Sequence, residues 1–224
     1  MKDNLQLATK YLYESIQGRY VTATHLDSFL ETLPSVFKIS TIGFSVKQQP
    51  IKVIQFGEGK VKILIWSQMH GNESTTTKGL IDYLNFLHHN ENEFESLSKF
   101  VTFYIIPILN PDGAAAYIRE NANGVDLNRD AFNATQIEMQ VLHSVYVNFQ
   151  PDYCYNLHDQ RTIFGTEGYN LPATVSFLSP AYNEERECND VRLKAIQIIN
   201  KMNNALQLYI PNQIGRFDDG YNVN

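Results

Sequence analysis

Two histidines and a glutamate stand out as a possible chemical centre. His70 and Glu73 lie in Ser67-Gln68-Met69-His70-Gly71-Asn72-Glu73, directly after the apolar run Val61 to Trp66. His158 ends a second apolar run, Tyr153-Cys154-Tyr155-Asn156-Leu157. Two imidazoles and one carboxylate at strand ends can hold a metal and leave a fourth position open, the arrangement of a catalytic zinc site. Gly71 and Asn72 suit the turn that brings His70 and Glu73 onto one ion. The pair alone is a common spacing, and an acidic residue there also serves the first turn of the following helix.

Positioning such residues requires strands that end together. Ile39 to Val46, Ile51 to Phe56 and Val61 to Met69 read as closely spaced strands, which predicts an antiparallel start to a sheet. Phe100 to Leu109 is almost unbroken in apolar and β-branched residues, the pattern of a strand covered on both faces. Asn110-Pro111-Asp112-Gly113 stops it with turn chemistry. Tyr153 to Leu157 reads as a short buried strand and Val175 to Leu178 as another. Helical spacing marks residues 4 to 17, Leu26 to Leu33, Lys78 to Leu87, 136 to 149 and Glu184 to Leu208. Strands alternating with helices predict an α/β fold with a mixed parallel and antiparallel central sheet flanked by helices. In such sheets ligands bind beyond the carboxyl ends of the strands, where His70, Asn110 and His158 all fall.

The segment Arg119-Glu120-Asn121-Ala122-Asn123-Gly124-Val125-Asp126-Leu127-Asn128-Arg129 is polar, with two guanidiniums and several amides suited to anion binding. Glu120 and Glu138 read as solvated, and His25, His88, His89 and His143 as structural. Asp159 and Gln160 follow His158 and are candidates for a cleft wall or a cap.

The remaining composition narrows the function classes. The chain has 224 residues, 43% of them hydrophobic and 19% charged, ordinary values for a globular protein. A net charge of -6 argues against sequence-independent nucleic-acid binding, which needs clustered cations. No apolar run approaches the length of a membrane span. The N-terminus lacks a signal-peptide core, which predicts a cytoplasmic protein. Cys154 and Cys188 read as a buried pair of reduced thiols.

Taken in order, His70-x-x-Glu73, Asn110-Pro-Asp-Gly113, Arg119-x-Asn-Ala-x-Gly-x-Asp-Leu-Asn-Arg129 and Asn156-Leu-His158 resemble the zinc carboxypeptidase superfamily, peptidase family M14, of the A/B and E/D types. The resemblance covers roughly residues 37 to 224 in element order. It implies the zinc carboxypeptidase (phosphorylase/hydrolase-like) architecture. Residues 1–224 read as a single catalytic domain, with 1–36, outside the resemblance, an N-terminal helical segment marked by its apolar spacing. The resemblance implies one zinc ion on His70, Glu73 and His158, with Asp126 orienting the His70 ring. Arg119 resembles the arginine that polarises the scissile carbonyl. Asn128 and Arg129 resemble the pair that grips a free C-terminal carboxylate, and Tyr221 a substrate-binding tyrosine.

The family's general-base glutamate, on a late strand, has no counterpart here. Glu167, Glu184, Glu185 and Glu187 follow His158, but none follows an apolar strand. The expectation is therefore a domain lacking its C-terminal strand and helix. The implied activity is hydrolysis of a C-terminal peptide bond by a metal-activated water. The alternatives are an amide deacylase of the succinylglutamate desuccinylase/aspartoacylase type, whose first motif often reads His-Gly-Asn-Glu, or an inactive zinc-binding domain. The partner is a peptide or an N-acyl amino acid; the sequence leaves side-chain preference and oligomeric state open.

Overall fold

The computed structural model describes residues 9–160, 163–166 and 168–216. They fall into two compact units, meeting in sequence at Asp159 and Gln160. Among the described residues no helix is long and apolar enough to cross a membrane.

The larger unit contains helix α1 (Ala23–Leu30), strands β1 (Lys38–Phe44), β2 (Pro50–Phe56) and β3 (Val61–Ser67), and helices α2 (Thr75–His88) and α3 (Glu91–Ser98). It continues through β4 (Val101–Ile106), α4 (Pro111–Ala116), α5 (Leu127–Asp130), α6 (Ile137–Phe149) and β5 (Tyr153–Leu157). The strand order is β1-β2-β4-β3-β5. β1 pairs antiparallel with β2, and β2 antiparallel with β4, as the closely spaced early strands predict. β3 then runs parallel to both β4 and β5. The mixed sheet is thus present.

Two-residue alternation divides the side chains between two layers. Ile54, Phe56, Phe103 and Ile105 pack with Leu26, Phe29 and Leu30 of α1 and with Leu80, Ile81, Leu84 and Leu87 of α2. Ile51, Val53, Leu64 and Ile106 face the other way, onto Met139, Leu142 and Val145 of α6. Burying such apolar faces is the main stabilising term of the unit. It also fixes the strand register, because a slip of one residue exchanges the two faces.

Several expectations change. Residues 11–17 are not helical, and residues 4–8 of the expected first helix lie outside the described residues. The Asn110-to-Gly113 turn is the start of a helix. Asn110 is its N-cap, accepting from Gly113 N at 2.8 Å, and Pro111 takes the first helical position, where its missing N–H costs nothing. Helix α3 escapes a periodicity reading because only Phe94 and Leu97 of it reach the core. Tyr153 to Leu157 has exposed and half-buried residues and, among the described strands, pairs only with β3, and Cys154 is an exposed thiol. Cys188 is exposed as well, and the expected buried pair does not form.

The smaller unit holds β6 (Val175–Phe177), α7 (Asp190–Leu206) and β7 (Ile214–Arg216), with β6 and β7 parallel. The helix expected from Glu184 begins only at Asp190, where Asn189 caps it by accepting from Arg192 N at 2.9 Å. Before that, Glu187 N donates to Asn183 Oδ1, a local turn that competes with helix.

Candidate metal centre

Three strand ends build the centre. β3 ends at Ser67, and Gln68 adopts a left-handed backbone with φ of 50°, a costly conformation for a residue with a Cβ. Its side chain holds the bend: Nε2 donates to Val21 O and Gly71 O at 2.8 Å each, and Oε1 accepts from Thr77 Oγ1 at 2.9 Å. The following turn carries His70 and Glu73 over α4. A Cβ on Gly71 would stand 1.9 Å from the Gly113 carbonyl carbon, so only glycine permits this approach. From the end of β4, Asn110 Nδ2 donates to Met69 O at 3.2 Å and to Glu120 O at 3.1 Å. It thereby ties the His70 turn to the Arg119 segment. β5 delivers His158, and Asp159 caps α2 by accepting from Thr75 N at 2.8 Å and Thr75 Oγ1 at 2.9 Å.

His70, Glu73 and His158 each offer a ligand atom, and these atoms lie within 4.8 Å of one another. Glu73 Oε2 is 2.7 Å from His158 Nδ1, and Glu73 Oε1 is 3.0 Å from His70 Nδ1. The His70 approach is short, but it does not follow a hydrogen-bond direction: this fully buried nitrogen has no hydrogen-bond partner. A buried nitrogen left without a partner is costly in an ordinary packed site. It is what a nitrogen reserved for a metal looks like, so the donor set fits a divalent ion of zinc type.

The other His70 nitrogen, Nε2, lies 3.1 Å from Asp126 Oδ1. Such a carboxylate fixes ring orientation and raises ligand basicity. Asp126 Oδ2 accepts from Arg119 Nε at 2.9 Å, and Oδ1 also accepts from Asn128 N at 2.9 Å. Asp126 is thus the N-cap of α5 and the link between the His70 imidazole and the Arg119 guanidinium. Arg119 Nη1 reaches Glu73 Oε1 at 3.4 Å.

Burial alone would raise the Glu73 carboxyl. The hydrogen bond from His158, the approach of His70 and the charge of both rings outweigh it and hold Glu73 well below the usual carboxylate range. Burial likewise pushes Asp126 up, and Arg119 and then His70 bring it down below its ordinary value. Asp159 stays raised, because burial outweighs the bonds from Thr75 and Thr76. Two carboxylates held below their ordinary values thus face the buried His70 imidazole, with the Arg119 guanidinium in contact with both.

Of the residues expected at a site, His70, Glu73, His158, Asp126 and Arg119 come together. Asn128 and Arg129 share the short helix α5 beside them, with Asn128 half-buried and Arg129 exposed. Tyr221 and Glu167 lie outside the described residues. Glu138, read as solvated, is fully buried. Its missed signal is the helical face it shares with Leu142 and Val145, at spacings of four and seven.

The structure thus places a His70–Glu73–His158 cluster that could hold a metal ion at the carboxyl edge of a mixed α/β sheet. A sequence model described as zinc carboxypeptidase matches residues 22–153, more than half of the chain. The protein belongs to the zinc carboxypeptidase family, M14. Carboxypeptidase E of Caenorhabditis elegans is 31% identical over 140 residues, which take in 50% of this chain and 30% of that protein. The fold is similar to that of carboxypeptidase A from Helicoverpa armigera, with a TM-score of 0.70 at 17% identity over 96% of this chain and 64% of that one. A metallo-carboxypeptidase from Burkholderia cenocepacia superposes with a TM-score of 0.67 at 20% identity, over 89% of this chain and 54% of that one. The chain thus spans less than a third of the curated relative and little more than half of the bacterial structure.

Proposed function

We propose that this chain carries the zinc-binding and carboxylate-binding half of a metallocarboxypeptidase that removes a C-terminal residue from a peptide. One observation carries the reading. Arg119 is clamped by Asp126 and reaches Glu73, so a fixed guanidinium stands beside the His70–Glu73–His158 cluster. His70, Glu73 and His158 would hold the ion. When bound, zinc supplies Lewis acidity toward the scissile carbonyl and lowers the pKa of its water.

The chain's own groups supply the rest. Arg119 keeps Nε on Asp126 and presents its remaining donors to the oxygen on which charge develops, where preorganised donors contribute most. Asn128 and Arg129 take the substrate's terminal carboxylate, with Arg giving a two-pronged grip and Asn a neutral donor beside it. An internal peptide bond has no carboxylate to offer, which limits the enzyme to chain ends. No described residue is assigned the proton transfer from water to the leaving amine.

The test compares a blocked dipeptide with a free carboxyl end, its C-terminal amide and an N-acyl amino acid. Each is offered to the zinc-loaded protein, and both turnover and binding are followed. Preference for the free acid over the amide by about 10-fold or more supports the reading, given what a charge-assisted carboxylate grip contributes. Equal handling of acid and amide sinks it. Preference for the N-acyl amino acid points instead to a deacylase.

A further inference from the structure

Glu138 sits in the first turn of α6 with no solvent exposure. Its Oε1 accepts from Val46 N at 3.1 Å and its Oε2 from Asn121 Nδ2 at 3.0 Å. Both donors are neutral, and among the described residues Glu138 forms no ion pair. Burying a carboxylate on neutral donors is costly, and the helix N-terminus offsets only part of that. A carboxyl group kept under these terms points to something no other side chain does at this place.

That property is acceptance on both sides. Asn121 donates to Glu138, and its Oδ1 accepts from Asn123 N and Val125 N, at 3.1 Å each. Asn121 N also donates to Val125 O at 3.0 Å. The turn from Asn121 to Val125 is therefore closed on one amide side chain, whose Nδ2 is held by the buried Glu138 and, at 3.0 Å, by Gln136 Oε1. Arg119 lies two residues before this turn, and Asp126 directly follows it. Their 2.9 Å contact spans the turn. Asn110 holds the Glu120 carbonyl between them.

We propose that Glu138 is a positioning residue. By fixing the Asn121 amide it sets the turn that holds Arg119 against Asp126 at the metal centre. A glutamine at 138 must point a donor at either Val46 N–H or the Asn121 amide. Turning Asn121 over to relieve the clash removes both of its bonds to Asn123 N and Val125 N. The importance of Arg119 rests on the proposed function above, but its placement is measured without turnover or zinc.

The experiment follows the Arg119 Nε–H resonance of the full chain by ¹H–¹⁵N NMR, assigned by its loss in Arg119→Lys. Spectra are taken zinc-free and again with zinc. In the unsubstituted protein the signal is protected from exchange. In Glu138→Gln exchange speeds up by about 10-fold or more as the local clamp opens. The swap Glu138→Gln with Asn121→Asp restores the donor and acceptor match between these two positions, since the new glutamine donates to the new carboxylate; Gln136→Ala, made in every protein of the series, removes the Oε1 that would face that carboxylate, and protection returns. An unprotected Arg119 signal in the unsubstituted protein overturns the proposal. So does a folded Glu138→Gln with an unchanged signal, or a swap that regains thermal stability while Arg119 stays free. Where Glu138→Gln does not fold, Asn121→Ala replaces it, and an unchanged Arg119 signal there counts equally against the proposal. Loss of the zinc reading would show in metal content and leave this resonance untouched.

Discussion

Replacing Asp126 with asparagine tests the link between metal and guanidinium most severely. The carboxylate accepts from Arg119 Nε and Asn128 N at 2.9 Å each, lies 3.1 Å from His70 Nε2, and reaches Arg129 N at 3.4 Å. Asparagine keeps one oxygen. If that oxygen stays on His70 and the α5 amides, the new NH₂ faces the Arg119 guanidinium, donor against donor. If the amide turns over, His70 and the cap lose their acceptor. Either way one charge-assisted contact is lost, worth roughly 1.5–3 kcal/mol, and the partial exposure of Arg119 places the effect on stability at the lower end. Weakening the carboxylate behind a metal-bound imidazole costs about 10- to 100-fold in metal affinity. The assay is zinc competition against a chromophoric chelator, with thermal unfolding of the zinc-free protein run in parallel. A folded Asp126→Asn protein whose zinc affinity stays within about 3-fold of the parent would refute the coupling, since that lies well below the range for such partners.

Other outcomes follow from the same geometry. Gly71→Ala places a methyl 1.9 Å from backbone of Gly113, so the His70 turn must shift; the expected loss is about 1–3 kcal/mol in denaturant unfolding, with weakened zinc binding. Asp159→Ala removes the cap of α2, which lowers stability by about 1 kcal/mol and loosens the adjacent His158; circular-dichroism melts check the first effect and zinc titration the second. Asp130 accepts from Thr135 N, Thr135 Oγ1 and Gln136 N; burial pushes it up, and these bonds outweigh burial and lower it. Its contribution is therefore present above about pH 4, the ordinary aspartate value, and lost as pH falls through the lowered folded value. Denaturant unfolding from pH 6 downward should show the gap between parent and Asp130→Ala closing in that acidic range. A gap that stays constant down to pH 2 would contradict it.

Much of the architecture is legible because it depends on the period of apolar residues. Strand β2 shows it plainly, with Ile51 and Val53 on one layer and Ile54 and Phe56 on the other. The His70–Glu73–His158 cluster is legible because it brings together chemically unusual groups at strand ends. What escapes a sequence reading is polar and tertiary. Asn110 reads as a turn residue because its neighbours are Pro and Gly, yet those same residues start a helix once its amide accepts from Gly113 N. Glu138 reads as solvated because carboxylates usually are, and its cost is met by partners 17 and 92 residues away in sequence. Cys154 lies in an apolar run, but β5 has a neighbour on one side only among the described strands, so the run does not ensure burial. The buried Nδ1 of His70, which makes no hydrogen bond, has no sequence signature at all.

Metal content is the most direct test of the central claim. The purified protein, dialysed against trace zinc, is analysed beside His70→Ala and His158→Ala by elemental mass spectrometry and chelator competition. The account predicts one zinc per chain in the parent and loss of that zinc in each variant, with both variants still folded. Equal zinc in all three proteins, or none in the folded parent at micromolar zinc, would contradict it.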